Sequence, residues 1–181
     1  MWSGALMTAV SGLALKLGDD VLDEGLGPES LAVVLSCAAV AASVCAVGMG
    51  VPPSFPVGLS IGNAVAGKLD EPVHVVAAVV VCIGSVAVGG IPDPVSTSLV
   101  ASLAALDEVM HDKGLDLGVR PALKVGLPVA WVVGVVPLEL PVAAWCFDAG
   151  YHLGGWIVVR ASNRAGGGAG RGSSEGCGTC E

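Results

Sequence analysis

Two long stretches that carry almost no charge constrain the fold of this chain more than any other feature. Residues 31–51 contain no ionisable side chain except two thiols, and residues 73–91 contain only His74 as a charged or basic residue. Each stretch is about as long as the roughly 20 helical residues that cross a hydrocarbon core of about 30 Å. Since 54% of all residues are hydrophobic and only 13% are charged, the sequence predicts an integral membrane protein rather than a water-soluble globular domain.

Shorter apolar runs predict further helices on both sides of these two. They cover residues 2–17, 57–69, 95–106, 122–138 and 141–159. The fold class is therefore predicted as all-α, a polytopic transmembrane helix bundle of about seven helical segments within residues 1–160. Residues 161–181 are rich in Gly and Ser and are predicted to form a flexible cytoplasmic tail, which contains the pair Cys177 and Cys180.

The positions of the basic residues predict the orientation of the bundle. If seven segments alternate in direction, every Lys and Arg falls on one side, and the positive-inside rule makes that side cytoplasmic. The N-terminus is then outside and the C-terminus is in the cytoplasm. These residues are Lys16, Lys68, Lys113, Arg120, Lys124, Arg160, Arg164 and Arg171.

The motif "LDE" occurs at residues 22–24, 69–71 and 106–108, always at this same side. Residues 57–69 and 95–106 would form helices of only about 20 Å, which is shorter than a hydrocarbon core. We therefore expect these helices to continue through Asp70 and Asp107, in a cavity that opens to the cytoplasm. The alternative is that the acids end their helices at a thin or tilted edge of the bundle and are simply solvated.

Each of the three histidines follows an aspartate by four residues. On a helix this spacing places both side chains on one face, where they could share a proton or hold one metal ion. An ordinary hydrogen-bonded packing role for each histidine is the alternative. The pairs are Asp70 with His74, Asp107 with His111, and Asp148 with His152.

Two acidic clusters have spacings that suit a hard divalent cation such as Mg²⁺. The stretch "LGDDVLDE" contains a DDxxD arrangement, and "LDEVMHDKGLD" contains carboxylates four residues apart. Mg²⁺ held in this way retains waters and bridges to substrate phosphates, which is the chemistry of isoprenoid diphosphates. The predicted metal ligands are Asp19, Asp20, Asp23, Asp70, Asp107, Glu108, His111, Asp112, Asp148 and His152.

With these two motifs the chain resembles the UbiA superfamily of membrane prenyltransferases. Residues 19–23 are similar to the core of that family's first motif, NDxxDxxxD, and residues 112–116 fit its second motif, DxxxD. The Asn of the first motif is Asp19 here, and its last Asp falls on Gly27.

The resemblance implies Mg²⁺-assisted ionisation of a polyprenyl diphosphate and transfer of the prenyl group to an acceptor. We expect the catalytic carboxylates to be Asp19, Asp20, Asp23, Asp107, Asp112 and Asp116, with Lys16, Lys68 and Lys124 steadying the diphosphate.

Two other functions fit the same pattern. Repeated acidic helix ends could line the route of a cation or proton transporter or channel, and small-residue faces could pack a structural subunit into a larger membrane complex. The basic residues are too few for nucleic acid binding, and no glycine-rich stretch has the lysine that a phosphate loop requires. Because the chain is so apolar, the expected partner is the lipid bilayer. The oligomeric state is left open.

Overall fold

The computed structural model describes residues 2–23, 25, 27–114 and 120–169, with side chains described up to residue 160. Within these residues the fold is all-helical and contains no strand, which confirms the predicted fold class at that level. The helices are α1 (Trp2–Asp23), α2 (Glu29–Gly48), α3 (Ser54–Val65), α4 (Pro72–Gly89), α5 (Pro94–Asp112), α6 (Pro121–Val132) and α7 (Glu139–Ala169).

Prolines and glycines set the ends of the middle helices. Helices α4, α5 and α6 each begin with a proline, whose fixed φ suits the first helical position. The helix α5 is also capped by Asp93, whose carboxylate accepts a hydrogen bond of 2.7 Å from the amide of Ser96. That bond lowers the pKa of the Asp93 carboxyl below its ordinary value. After α3 and α5 the chain turns at Gly67 and Gly114, both in the left-handed region.

These signals correct three predicted boundaries. The helix α3 ends at Val65, because Gly67 turns the chain before Asp70 is reached, whereas α5 does continue through Asp107. The helix α6 ends at Val132, short of residue 138, because the chain turns at Gly134. The helix α7 runs on to Ala169, past the boundary expected at residue 160. Cys177 and Cys180 lie outside the described residues.

The helices form a closed ring. Going round it, each helix packs against the next in the order α1, α2, α4, α3, α5, α6, α7 and back to α1. Along the chain, each helix runs in the opposite direction to the one before it. The C-terminal ends of α1, α3 and α5 and the N-terminal ends of α2, α4 and α6 therefore lie at one end of the ring. We call this the acidic end, because Asp19, Asp70 and Asp112 lie there, and the other the opposite end.

Glycines let the helices of the ring approach closely. A Cβ atom at Gly12 would collide with the backbone carbonyl of Phe147, and one at Gly150 would collide with the carbonyl of Ala9, so α1 and α7 touch backbone to backbone. On α3, Gly58 and Gly62 pack in the same way against α5, as their spacing of four residues predicts. These glycine contacts replace the larger side chains that separate helices in most bundles.

The outside of the ring is strongly apolar. Two of its helices, α2 and α4, are long and apolar enough to cross a membrane. In α4 only Val81 and Ser85 are buried, while Val76 and Ile83 are more than 60% exposed. A helix that is apolar on its exposed face as well is typical of a membrane environment, so these two helices support membrane association.

The contact between α1 and α7 gives the first prediction. Replacing Gly150 with Ala should lower the free energy of unfolding by about 1–3 kcal/mol, because the added methyl group meets the rigid backbone of Ala9. The measurement is thermal unfolding of the purified protein in detergent.

The matched control is Gly155→Ala on the same helix, where the nearest atom to an added Cβ is the flexible Lys16 side chain at 3.6 Å. This variant should be neutral, or more stable by up to about 1 kcal/mol, because alanine favours a helix over glycine. Equal effects of the two substitutions would contradict the close packing of α1 on α7.

Candidate functional site

The ring encloses a central cavity with a volume of about 430 Å³. Its wall includes side chains from α1, α2, α3, α4, α5 and α7 and from the link between α3 and α4. It extends from the acidic end towards the loop between α2 and α3 at the opposite end, where Val51 and Phe55 line it. The cavity is therefore a long space between the helices and not a shallow surface depression.

Charged side chains gather where the cavity meets the acidic end. This group, which we call the cavity mouth, combines acids and bases from three helices and two connecting segments, so it presents both signs of charge to one ligand. It consists of Lys16, Asp19, Asp23, Lys68, Asp70, Glu71, His74, Glu108, His111 and Arg120.

Asp19 of α1 is held between two neighbours in this mouth. Its Oδ2 accepts a hydrogen bond of 3.3 Å from the hydroxyl of Tyr151 on α7. Its Oδ1 lies 3.2 Å from Nε2 of His74 on α4, an ion pair when the imidazole is protonated. Asp19 thus joins three helices at the cavity wall, and His74 pairs with it rather than with Asp70.

Arg120 brings a fixed positive charge to the same wall. Its guanidinium lies 3.1 Å from Oε1 of Glu108 and packs over the rings of Phe147 and Tyr151, at 5.8 and 5.0 Å from their centroids. An arginine held by both an ion pair and aromatic faces has few conformations open to it. Its positive charge is therefore held in a fixed position at the mouth.

The remaining acids of the mouth are less engaged. Asp23 makes no hydrogen bond or ion pair with any other residue that the structure describes, and it lies four residues after Asp19 on the cavity side of α1. Asp70 accepts one hydrogen bond, of 3.1 Å, from the amide of Glu71. These carboxylates have oxygen atoms available for a cation or for water.

The inner part of the cavity is lined by aliphatic, aromatic and hydroxyl groups. The hydroxyls bond to the helix backbone: Ser11 donates to the carbonyl of Ala39 at 3.1 Å, Thr8 to that of Gly4 at 2.9 Å, and Ser60 to that of Pro56 at 2.9 Å. Since these hydroxyls donate within the protein, the inner cavity leaves few free hydrogen-bond donors for a ligand, and aliphatic and aromatic side chains line the rest of it. In addition, Oδ1 of Asn63 is buried and accepts no hydrogen bond from the described residues.

Asp107 was predicted to act in catalysis, but the structure gives it a clear packing role. It is 5% exposed, and its two oxygens accept hydrogen bonds of 2.7 and 2.9 Å from the amides of Ala122 and Leu123. These are orphan amides of the first turn of α6, so Asp107 caps that helix from α5. With both oxygens engaged, it does not line the cavity and does not pair with His111.

The other predicted ligands of the second acidic cluster also have separate partners. Glu108 pairs with Arg120, and Asp112 pairs at 2.6 Å with Lys68 on the exposed surface. Asp116 lies outside the described residues. The second cluster therefore does not converge on one point in the described part of the chain, because its members face different neighbours around α5.

Two further acids that were predicted to be metal ligands, Asp20 and Asp148, are buried and form ion pairs with lysines. On α1, Asp20 is buried and forms an ion pair of 2.6 Å with Lys16, four residues earlier. Between α6 and α7, Oδ2 of the buried Asp148 lies 2.5 Å from Nζ of Lys124 and 3.3 Å from Nε2 of His152. This is the one predicted Asp and His pair whose two members are in contact in the described residues.

Across the described residues, no group of three or more His, Cys, Asp and Glu side chains is placed to hold a metal ion. A metal site made entirely of protein ligands is thus not found there, whereas the predicted Mg²⁺ bridged to substrate phosphates stays a prediction. A cation at the mouth would need further oxygen ligands from water or from a bound substrate.

Sequence reasoning missed three residues that shape the mouth. Tyr151, Arg120 and Glu71 are not parts of an Asp-rich motif, so carboxylate spacing does not identify them. One signal was available: the sequence contains a single tyrosine. A lone polar aromatic residue inside an apolar helix usually has a buried hydrogen-bond partner, here Asp19.

Comparisons with known proteins do not identify the chain. No protein-family model matches it, and neither the curated proteins nor the solved structures contain a match. The resemblance to the UbiA superfamily receives no support from them and stays a prediction that rests on two short motifs.

The capping role of Asp107 can be tested by substitution. Asp107→Ala should lower the free energy of unfolding by about 1–2 kcal/mol, because two amides at the start of α6 lose their acceptor. Asp112→Ala, on the same helix but exposed, should change it by less than about 1 kcal/mol. Chemical unfolding followed by circular dichroism compares the two, and a larger loss for Asp112→Ala would contradict the assignment.

The pair of Lys68 and Asp112 predicts a dependence on pH. The hydrogen bond from Lys68 to Asp112 raises the pKa of the lysine above its ordinary value of 10.5, so the charged form favours the folded state. Its contribution is full below pH 10.5 and is lost as the pH rises through the raised pKa. Because the pair is exposed, the contribution should be below about 1 kcal/mol.

The measurement is the difference in melting temperature between the unmodified protein and Lys68→Met, followed from about pH 8 to about pH 12. The difference should shrink at the alkaline end of this range. A difference that stays constant would show that the ion pair contributes nothing to folding.

Proposed function

We propose that the whole ring of helices lies in a membrane, as a polytopic bundle with its acidic end in the cytoplasm. The apolar exterior of α2 and α4 supports this, and so do Trp2 and Trp131, which are each more than 40% exposed and lie at the ends of α1 and α6. Exposed tryptophans at such positions are typical of membrane interfaces. The grouping of basic residues towards the acidic end supports the orientation.

We further propose that the central cavity binds a prenyl diphosphate together with Mg²⁺. The observation that carries this proposal is the uneven lining of the cavity, which has charged residues of both signs at its mouth and uncharged aliphatic, aromatic and hydroxyl side chains further in. A ligand that matches it has a strongly charged head and an apolar chain. Prenyl diphosphates have this form, and the diphosphate suits a mouth that contains both cations and carboxylates.

The basic residues of the mouth would bind the diphosphate directly. Arg120 is held in place by Glu108 and two aromatic rings, and it can offer paired N–H donors to phosphate oxygens. Lys68 lies at the same end of the cavity, and its partner Asp112 is exposed. An ammonium group that is exposed in this way can turn to a phosphate at little cost.

The carboxylates of α1 would hold the cation. Mg²⁺ is usually bound by one or two carboxylates, several waters and the phosphates of a substrate, and not by a complete cage of protein ligands. Asp19 and Asp23 both face the cavity and are one helical turn apart. This division of ligands explains how the site could bind Mg²⁺ although no group of three ligands is present among the described side chains.

The reaction that follows from such binding is prenyl transfer. The bond between the allylic carbon and the bridging oxygen breaks, the electron pair leaves with the diphosphate, and the acceptor forms a new bond to the allylic carbon and loses a proton. Positive charge from Arg120 and Lys68 would stabilise the departing diphosphate. The aliphatic and aromatic side chains further in would keep water away from the carbocation.

Transport of a cation or proton is the second candidate, and one observation favours it. Asp148 is buried between α6 and α7, where it pairs with the partly exposed Lys124, and its Oδ1 has no partner among the described residues. Buried ionisable groups within a membrane commonly mark a proton route. Against it, the far end of the cavity is lined by the apolar side chains of Val51 and Phe55, which are 7% and 3% exposed.

The test is calorimetric titration of Mg²⁺ into the purified protein in detergent, with and without farnesyl diphosphate. We expect the diphosphate to tighten Mg²⁺ binding, and Asp23→Asn to weaken it by about tenfold or more, because a carboxylate ligand is lost. Asp23 is suited to this test because it has no partner among the described residues, so its replacement should leave the fold intact.

Asp93→Asn is the matched control. It makes the same chemical change at the opposite end, and asparagine caps a helix as well as aspartate does. An Mg²⁺ affinity that is the same with and without the diphosphate would favour transport. An absence of binding by either would contradict both functions and leave a structural membrane subunit.

A further inference from the structure

We propose that the far wall of the cavity limits the ligand to a short prenyl chain, of about the length of farnesyl. This inference rests on the proposed prenyl diphosphate function and concerns the end of the cavity away from the charged mouth. The limiting residues are Ala46, Val51 and Phe55, which we call the cavity floor. They lie at the end of α2 and in the loop and first turn that lead into α3.

The depth of the cavity sets the length of the chain. On α2, Ser36 and Ala46 both line the cavity, and the helix rises about 15 Å between them. On α1, the lining runs from Thr8 to Asp19, which is again about 16 Å. With carbon–carbon bonds of about 1.5 Å, an extended farnesyl chain measures roughly 15 Å, and a geranylgeranyl chain is one isoprene unit longer.

The cavity floor is firmly packed from behind. Ala46, Val51 and Phe55 are 2%, 7% and 3% exposed. The Phe55 ring meets Phe147 edge to face, with the ring centroids 6.0 Å apart. On the other side, Gly4 of α1 lies so close that a Cβ there would be 3.1 Å from Cγ2 of Val51. A longer chain therefore cannot extend the cavity without displacing backbone and buried side chains.

The walls above the floor suit a hydrocarbon chain. The hydroxyls of Thr8 and Ser11 donate to backbone carbonyls, so a chain lying against them leaves no donor unsatisfied. Leu15 and Leu59 add aliphatic surface, and Phe147 adds an aromatic face. The same walls offer no set of free polar groups for a second charged head at depth, which favours a ligand charged at one end only.

Competition binding in detergent with Mg²⁺ present tests the inference, using farnesyl and geranylgeranyl diphosphate as probes. The unmodified protein should bind farnesyl diphosphate about tenfold more tightly, because the extra isoprene unit does not fit. Val51→Ala and Phe55→Ala deepen the cavity and should reduce this preference to about threefold or less. Ala46→Leu makes the cavity shallower and should weaken the binding of farnesyl diphosphate relative to that of geranyl diphosphate.

The control is Val132→Ala, which makes the same change as Val51→Ala on a residue that is 74% exposed on the outside of the ring. It should leave the preference unchanged. If Phe55→Ala does not fold because its contact with Phe147 is lost, Val51→Ala still decides the question, since it removes only part of a smaller side chain.

The outcomes separate the two proposals. Equal binding of both chain lengths, in the unmodified protein and in every floor variant, would overturn the limit set by the cavity floor while leaving the prenyl diphosphate function in place. No binding of any prenyl diphosphate would overturn the function itself, and the inference with it.

Discussion

The ring of helices is closed where α1 and α7 touch backbone to backbone at Gly12 and Gly150. These glycines are part of the extensive contact between the first and last helices of the chain, which completes the wall of the cavity on that side. The same contact brings Tyr151 of α7 to Asp19 of α1. The packing of two glycines thus positions a hydrogen bond at the cavity mouth, and it links the stability of the bundle to the geometry of the site.

Some charged side chains at the acidic end are engaged in holding the fold, and others face the cavity and are available to a ligand. Asp107 caps α6 from α5 and Asp148 pairs with Lys124 between α7 and α6, so these groups hold helices together, while Asp20 pairs with Lys16 within α1. By contrast, Asp23 faces the cavity without a described partner, and Arg120 is fixed at its wall. A charge that is already satisfied stabilises the fold, whereas one that faces the cavity without a partner is free to act on a ligand. The proposed diphosphate site combines both kinds, because Asp23 has no described partner, whereas Arg120 is held by Glu108 and Asp19 by its neighbours on α4 and α7.

The helices were predictable because apolar runs, prolines and glycines are local signals, and seven helices follow from them. The predicted end of α3 was wrong. The argument from helix length required α3 to continue through Asp70, but the chain turns earlier, at Gly67. The site was less predictable. Spacing along one helix brought Asp19 and Asp23 to the cavity correctly, but it could not show that Asp107 caps another helix or that His74 faces Asp19 instead of Asp70. Such pairings depend on how the ring closes, which no local pattern encodes.

A photoreactive farnesyl diphosphate analogue, with the reactive group at the far end of its chain, tests the central claim that an apolar chain lies inside the ring with its charged head at the mouth. After irradiation in detergent with Mg²⁺, the account predicts attachment at Val51 and Phe55, since these residues form the cavity floor. Attachment confined to outward-facing residues such as Val76 and Ile83 of α4 would contradict it. The chain would then lie against the exterior of the bundle, and the cavity would have another use.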